Sequence, residues 1–193
     1  NALAAYYNPR LQVFTKLVPT FWFLVDNAAY APLVDGFLLV PHLSLRDVPF
    51  FANLGVMTHE YGHKVHNVLV EGGEKFPHWY LHDWTVAARN QLRGVDEGLC
   101  DVFGGIATGD ANFIAPSVET LNVNIGRDMN AVRVMTDLDA QVALEDEAMN
   151  SQGETVSFDA HRLGAFVAAA LWQFGTNMGD RDAVGRAIID EAH

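Results

Sequence analysis

Two histidines, His59 and His63, stand four residues apart in the segment MTHEYGHKV, with Glu60 directly after the first. On a helix that spacing stacks both imidazoles on one face, where they can grip a single zinc ion, and it sets Glu60 beside the ion rather than on it. A carboxylate so placed can take a proton from a water molecule at the metal. The same residues also suit an amphipathic helix whose histidines face solvent or hydrogen-bond within the fold. Two neighbours favour the metal. The register turns both histidines away from the apolar stripe, and an acidic pair at helical spacing follows in VDEGLCDVFGG.

Catalytic zinc takes three protein ligands and keeps a fourth position open. Glu97 can supply the third ligand. Asp101, one turn further on, can accept the free ring N–H of His59 and hold that ring in the correct tautomer. The elements that must carry these groups are readable from periodicity. Leu54, Met57, Tyr61, Val65 and Val68 recur at helical spacing between about Phe50 and Val70 and predict the buried face of a helix. A second helix is expected from Asp83 to Leu92, ended by Gly94, and a third from about Val95, carrying Glu97 and Asp101 until Gly104-Gly105.

Upstream, QVFTKLV, TFWFLVD and GFLLVPH are short, aromatic or β-branched, and divided by Pro19, Pro32, Gly36 and Pro41, so they read as strands of a small sheet. Downstream, TGDANF reads as a turn, and the acidic stretch DLDAQVALEDEAMNSQGE begins as a short helix. Leu163, Phe166, Val167, Ala170, Leu171 and Phe174 predict the inward face of a helix ending at Gly175. A last helix is expected over Asp180–Ala192 with Val184, Ala187 and Ile188 inward. The expected fold class is α+β: a small, mainly antiparallel N-terminal sheet packed on a central zinc-binding helix, then a mainly helical C-terminal lobe, with a cleft between. One catalytic domain, 1–193, is expected, with lobes near 1–75 and 76–193.

Taken together, His59, Glu60, His63, Glu97 and Asp101 resemble the signature of the thermolysin-like, or gluzincin, metallopeptidases, in which a His-Glu-x-x-His helix is followed by one bearing Glu-x-x-x-Asp. The resemblance implies zinc held by His59, His63 and Glu97, Glu60 as general base, and Asp101 behind the first histidine. It extends to DNAAY, similar to the family's edge-strand motif, where Asn27 would hydrogen-bond a peptide and Ala28 would present main-chain groups to an extended substrate. An ordinary turn after a strand is the other reading of Asn27-Ala28. FDAHRLGAF resembles the segment carrying the family's oxyanion-stabilising histidine, which implies that role for His161 with Asp159 as its ring partner. A helix-capping Asp159 beside a surface His161 is the plainer alternative. Tyr80 stands in for the family's cleft tyrosine and Arg133 for its cleft arginine, with Arg127 nearly as well placed. The long interval between His63 and Glu97 points to a remodelled loop over residues 71–84. His66, His78 and His82 read as structural or groove-lining residues rather than ligands, and Cys100 as buried.

The implied activity is a zinc-dependent endopeptidase acting on peptides or proteins bound as an extended strand. A non-catalytic zinc domain and a zinc hydrolase of a small amide are the rivals. Among 193 residues, 24 are acidic and 12 basic, and the net charge of -12 argues against a nucleic-acid partner. No apolar run reaches the roughly 18 residues of a membrane span. With one cysteine there is no intrachain disulfide. The opening at Asn1, without methionine or signal-peptide features, suggests a processed or excised chain, and a secreted or periplasmic location is expected, with a pro-segment or inhibitor among the partners. The carboxylates of 137–147 are the one place considered for calcium, although their irregular spacing reads first as solvated surface.

Overall fold

The computed structural model describes residues 12–14, 28–39, 47–76, 83–119 and 126–191. Strands β1 (Gln12–Phe14), β2 (Ala28–Ala31) and β3 (Gly36–Leu39) form a sheet in the order β1-β3-β2. The β2–β3 ladder is antiparallel and runs from Ala28↔Leu39 to Ala31↔Gly36, whereas β1 pairs parallel with β3. Asp35 closes the hairpin with φ at 45°, a left-handed conformation that aspartate tolerates better than most side chains. Among the described strands this order leaves β2 at an edge. The segment 20–26, Asn27, His78, Tyr80 and His82 lie outside the described residues.

Helix α1 (Leu54–Leu69) begins at Asn53, whose side chain accepts from the N–H groups of Gly55 and Val56 at 2.9 and 3.3 Å. The Asn53 Nδ2 donates to Phe113 O and to Ser117 Oγ, both at 2.9 Å, which ties the cap to the chain beneath it. The expected apolar face is only partly the buried one. Leu54 and Val68 are exposed, while Val56, His59, Glu60, Lys64 and His66 are buried. The reason is that α1 turns its histidine side toward the next helix and the sheet, so the polar face becomes the interior one.

Helix α2 (Val86–Thr108) is capped by Thr85 and runs unbroken to Gly109. This corrects the expected break at Gly94 and the interruption at Gly104-Gly105. Those glycines are contact points. A Cβ on Gly98 would lie 2.6 Å from Gly164 O, one on Gly94 would meet Leu163 at 2.6 Å, and one on Gly104 would lie 2.8 Å from Gly55 O. Close helix packing outweighs the low helical propensity of glycine.

Turns over 111–119 lead on to α3 (Asp137–Glu145), which opens with a capping box between Thr136 and Asp139. The start of the acidic stretch is thus helical as expected. The antiparallel hairpin of β4 (Glu147–Met149) and β5 (Thr155–Ser157) was not foreseen; Gly153 makes its turn at φ 79°. Helix α4 (Ala160–Met178) continues through Gly175 to a left-handed Gly179. Its buried face consists of Gly164, Ala165, Ala168, Ala169 and Trp172, whereas Ala170 and Phe174 are exposed, because small residues are what allow α4 to approach α2. In α5 (Arg181–Glu191), Val184 is buried and Ile188 packs against the core as expected, whereas Ala187 is exposed and Ile189 takes the other buried position. The main core gathers Val56, Val102, Phe113, Met129, Ala168 and Trp172 between α1, α2 and α4. The architecture is α+β as expected. Among the described residues no helix is long and apolar enough to cross a membrane.

Gly98→Ala drives a methyl group against a backbone carbonyl that cannot yield, and is expected to destabilise the fold by about 1–3 kcal/mol. Leu54→Ala, at an exposed position, should stay within about 0.5 kcal/mol of the parent. Urea midpoints of the two variants check both.

Candidate metal centre

The capped α1 presents His59 and His63 on one side, with their rings edge to face and centroids 4.8 Å apart. Their Nε2 atoms lie 3.2 Å from each other. From α2, Glu97 Oε2 lies 3.3 Å from His59 Nε2 and 3.6 Å from His63 Nε2. That oxygen is buried and makes no hydrogen bond. A proton between the rings would serve one pair of atoms and leave the carboxylate oxygen unserved. A single tetrahedral ion at about 2.0–2.1 Å from each atom sets donor separations of roughly 3.3–3.4 Å, close to those found. Two imidazoles and a carboxylate are the donor set of a zinc site with an open position.

Behind each ring stands an aspartate. Asp101 is fully buried, and its Oδ1 lies 2.9 Å from His59 Nδ1. Arg127 clamps the same carboxylate, with Nε 3.2 Å from Oδ2 and its guanidinium on Oδ1. Asp96 Oδ2 lies 2.9 Å from His63 Nδ1, and its other oxygen is 3.4 Å from His66 Nδ1. Sequence reasoning missed Asp96; the one signal for it was an acid directly before Glu97. These contacts fix both Nε2 atoms toward the ion.

A second trio, His63, Asp96 and Cys100, also converges, with Cys100 Sγ 3.3 Å from His63 Nδ1. Burial pushes the Cys100 thiol well above its ordinary pKa, and the trio gathers at Nδ1 of His63, behind the ring as seen from Glu97. Burial alone would raise Glu97, but the imidazoles of His59 and His63 outweigh it and hold that carboxyl far below the usual range. In His59, burial and Arg127 lower the pKa, yet Asp101 and Glu97 bring it above the ordinary value. In His63, burial is outweighed by Cys100 and Asp96, and the pKa rises well above it.

An open groove of about 360 Å³ runs past this cluster. Ala28, Ala29 and Tyr30 of β2 form one wall, and Glu97 and His161 stand opposite. Glu60 lies beside the histidines, and its Oε2 accepts the Tyr30 N–H at 2.8 Å. His161 Nε2 is 3.4 Å from Glu97 Oε2, and His161 Nδ1 is 3.1 Å from Asp159 Oδ1. Asp159 also caps α4 by accepting the His161 N–H, so both readings of that residue describe contacts it makes. A hollow formed by Phe50, Val56, Phe113, Ile114 and Arg127 adjoins the groove.

Arg133 does not reach the groove. Its guanidinium donates to the carbonyls of Gly126 and Asp128, holding its own loop together, and Arg127 is the arginine at the histidines. Among the carboxylates of 137–147, Asp139 pairs with Arg162 at 2.7 Å and Asp146 with Arg89 at 2.8 Å.

Comparison with protein families, curated proteins and solved structures finds no match to the chain. The geometry of His59, His63 and Glu97 is consistent with a gluzincin-type zinc site and supports a zinc-dependent hydrolase.

Asp101→Asn and Asp96→Asn are each expected to weaken zinc binding about 10–100-fold, measured by competition with a chromogenic chelator. Because the metal-free imidazoles keep their protons to a higher pH than free histidine does, zinc binding must displace protons. Affinity should therefore still be rising above the usual histidine range, and proton release on zinc addition, followed in weakly buffered solution, checks this.

Proposed function

We propose that this chain is a zinc-dependent endopeptidase of the thermolysin-like kind, taking its substrate as an extended strand along β2. The hydrogen bond from Tyr30 N–H to Glu60 carries this reading, because it joins the candidate base to the side of β2 that faces away from β3, the last strand in the order of the described sheet. Tyr30 turns its backbone polar groups away from β3, and alternation along a strand gives Ala28 the same orientation. A peptide laid beside that edge passes Glu60 and the histidines. Asn27 directly precedes the edge and belongs to the proposed substrate contacts.

His59, His63 and Glu97 would hold the ion, which when bound supplies a Lewis acid that polarises a carbonyl and acidifies water. Glu60 takes the proton of the attacking water and passes it to the leaving amine. The Tyr30 N–H holds one of its oxygens, leaving the other for the proton. His161 faces the same space from α4, with Nδ1 3.1 Å from Asp159 Oδ1 and Nε2 placed to donate to a developing oxyanion. Such a donor is worth about 3–4 kcal/mol.

Digestion of an unbiased peptide mixture should give internal cuts that vanish with a chelator and return with zinc. Cleavage of small amides alone would instead favour a non-peptidase hydrolase. Glu60→Gln should keep stoichiometric zinc and lose about 10²–10⁴-fold or more in turnover, whereas substantial hydrolysis at full zinc occupancy would remove Glu60 as the base. His161→Ala should keep zinc and lower kcat about 10²–10³-fold.

A further inference from the structure

One carboxylate of the groove has no part in the metal centre. Glu71 follows α1, is 3 % exposed, and lines the groove together with His66 and Asn67. Its Oε2 accepts from Asn67 Nδ2 at 3.2 Å, while its Oε1 is buried without a hydrogen-bond partner. A buried carboxylate oxygen left in that state is costly unless something supplies a donor. The cations within reach are committed. Lys64 Nζ is bound to Asp35, and Arg93, the one Lys or Arg lining the groove among the described residues, lies over the Phe158 ring at 5.3 Å. No third metal-ligating group joins Glu71 and Asn67 among the described residues, which argues against a second ion there. An anion is excluded by charge.

We propose that Glu71 forms a subsite for an organic cation of the substrate, a lysine or arginine side chain N-terminal to the scissile bond; this rests on the peptidase reading above. The position follows from geometry. The end of α1 at Leu69 is six residues beyond His63, roughly 9 Å along the helix axis, and Glu71 lies two residues further on. An extended peptide advances roughly 3.3 Å per residue, and a lysine side chain spans about half the interval, so the cation belongs within about three residues of the cleaved bond. Strand β2 runs from Ala28, beside the Phe50–Val56 hollow, to Ala31, and Pro32 directly after it lines the groove with Glu71. A substrate paired antiparallel to β2 therefore has its N-terminal side at Glu71. A free N-terminal ammonium is the same chemistry from another source.

The test uses N-acetylated peptides that differ only by lysine or norleucine at each of the three positions before the cut, with an unblocked norleucine series for the free amine. Cleavage is followed with the zinc-loaded parent chain, and binding with the zinc-loaded Glu60→Gln variant. Expected is a lysine preference of about tenfold or more at one position, in cleavage and in binding, that falls toward one in Glu71→Gln. A preference confined to the unblocked series assigns the site to the N-terminal amine and keeps the cation site. Cleavage with no preference for lysine or for a free amine overturns the Glu71 subsite and leaves the peptidase reading intact. A lysine preference in binding without any cleavage by the parent chain upholds the cation site and sinks the peptidase reading, and absence of both overturns both. The parent-chain comparison needs no variant, so the outcome does not depend on whether Glu71→Gln folds.

Discussion

Three lone pairs are aimed at one another across 3.2 to 3.6 Å in the interior of this protein, two from imidazoles and one from a carboxylate. Left alone, such atoms would turn away and find protons or water. They are kept in place by groups that hold each ring from behind, Asp101 with Arg127 for His59 and Asp96 for His63. The buried aspartates thus turn each Nε2 lone pair toward a common point, and this requirement explains why so much polar surface is enclosed. Asp101 is fully buried behind the buried His59 ring, and Asp96 is buried behind the partly buried ring of His63.

The enclosure depends on helices coming unusually near. Gly98 and Gly164 face each other where any Cβ would strike backbone, and a Cβ on Gly164 would also lie 2.8 Å from the Glu97 Cβ. Gly62 of α1 does the same against Cys100 of α2. Each glycine in a helix interior costs roughly 1 kcal/mol in propensity, so α2 keeps its helical form through tertiary contact rather than local preference. The third ligand is brought to the histidines by this approach.

How much of this could be read beforehand divides along a physical line. Chemistry that lives in residue type and local spacing was legible: His59, His63, Glu97 and Asp101 meet as their positions suggested, and the α+β class followed from short strands ahead of long amphipathic segments. What failed depended on packing partners. Gly94 and Gly175 read as helix ends because glycine is a local breaker, and only the neighbour across the interface reveals it as a contact. Leu54 and Phe174 read as core because they are large, yet the histidine side of α1 and the small residues of α4 took the interior. Arg133 and Arg127 are equivalent in spacing, and only the turn of the loop decides which one reaches Asp101. The β4–β5 hairpin hid in an acidic stretch with little alternation to reveal it.

The Asn53 cap has a consequence beyond helix stability. Its carbonyl oxygen receives the first free N–H groups of α1, while its amide nitrogen is anchored to Phe113 and Ser117. The rotational phase of the helix about its own axis is thereby indexed to a loop outside the chelate, whose Phe113 ring lies 6.4 Å from that of His59. A small torque at that joint would sweep both imidazoles through an arc and detune the chelate. Evolution can adjust the grip on the ion from there, as a peg adjusts a string without touching the part that sounds.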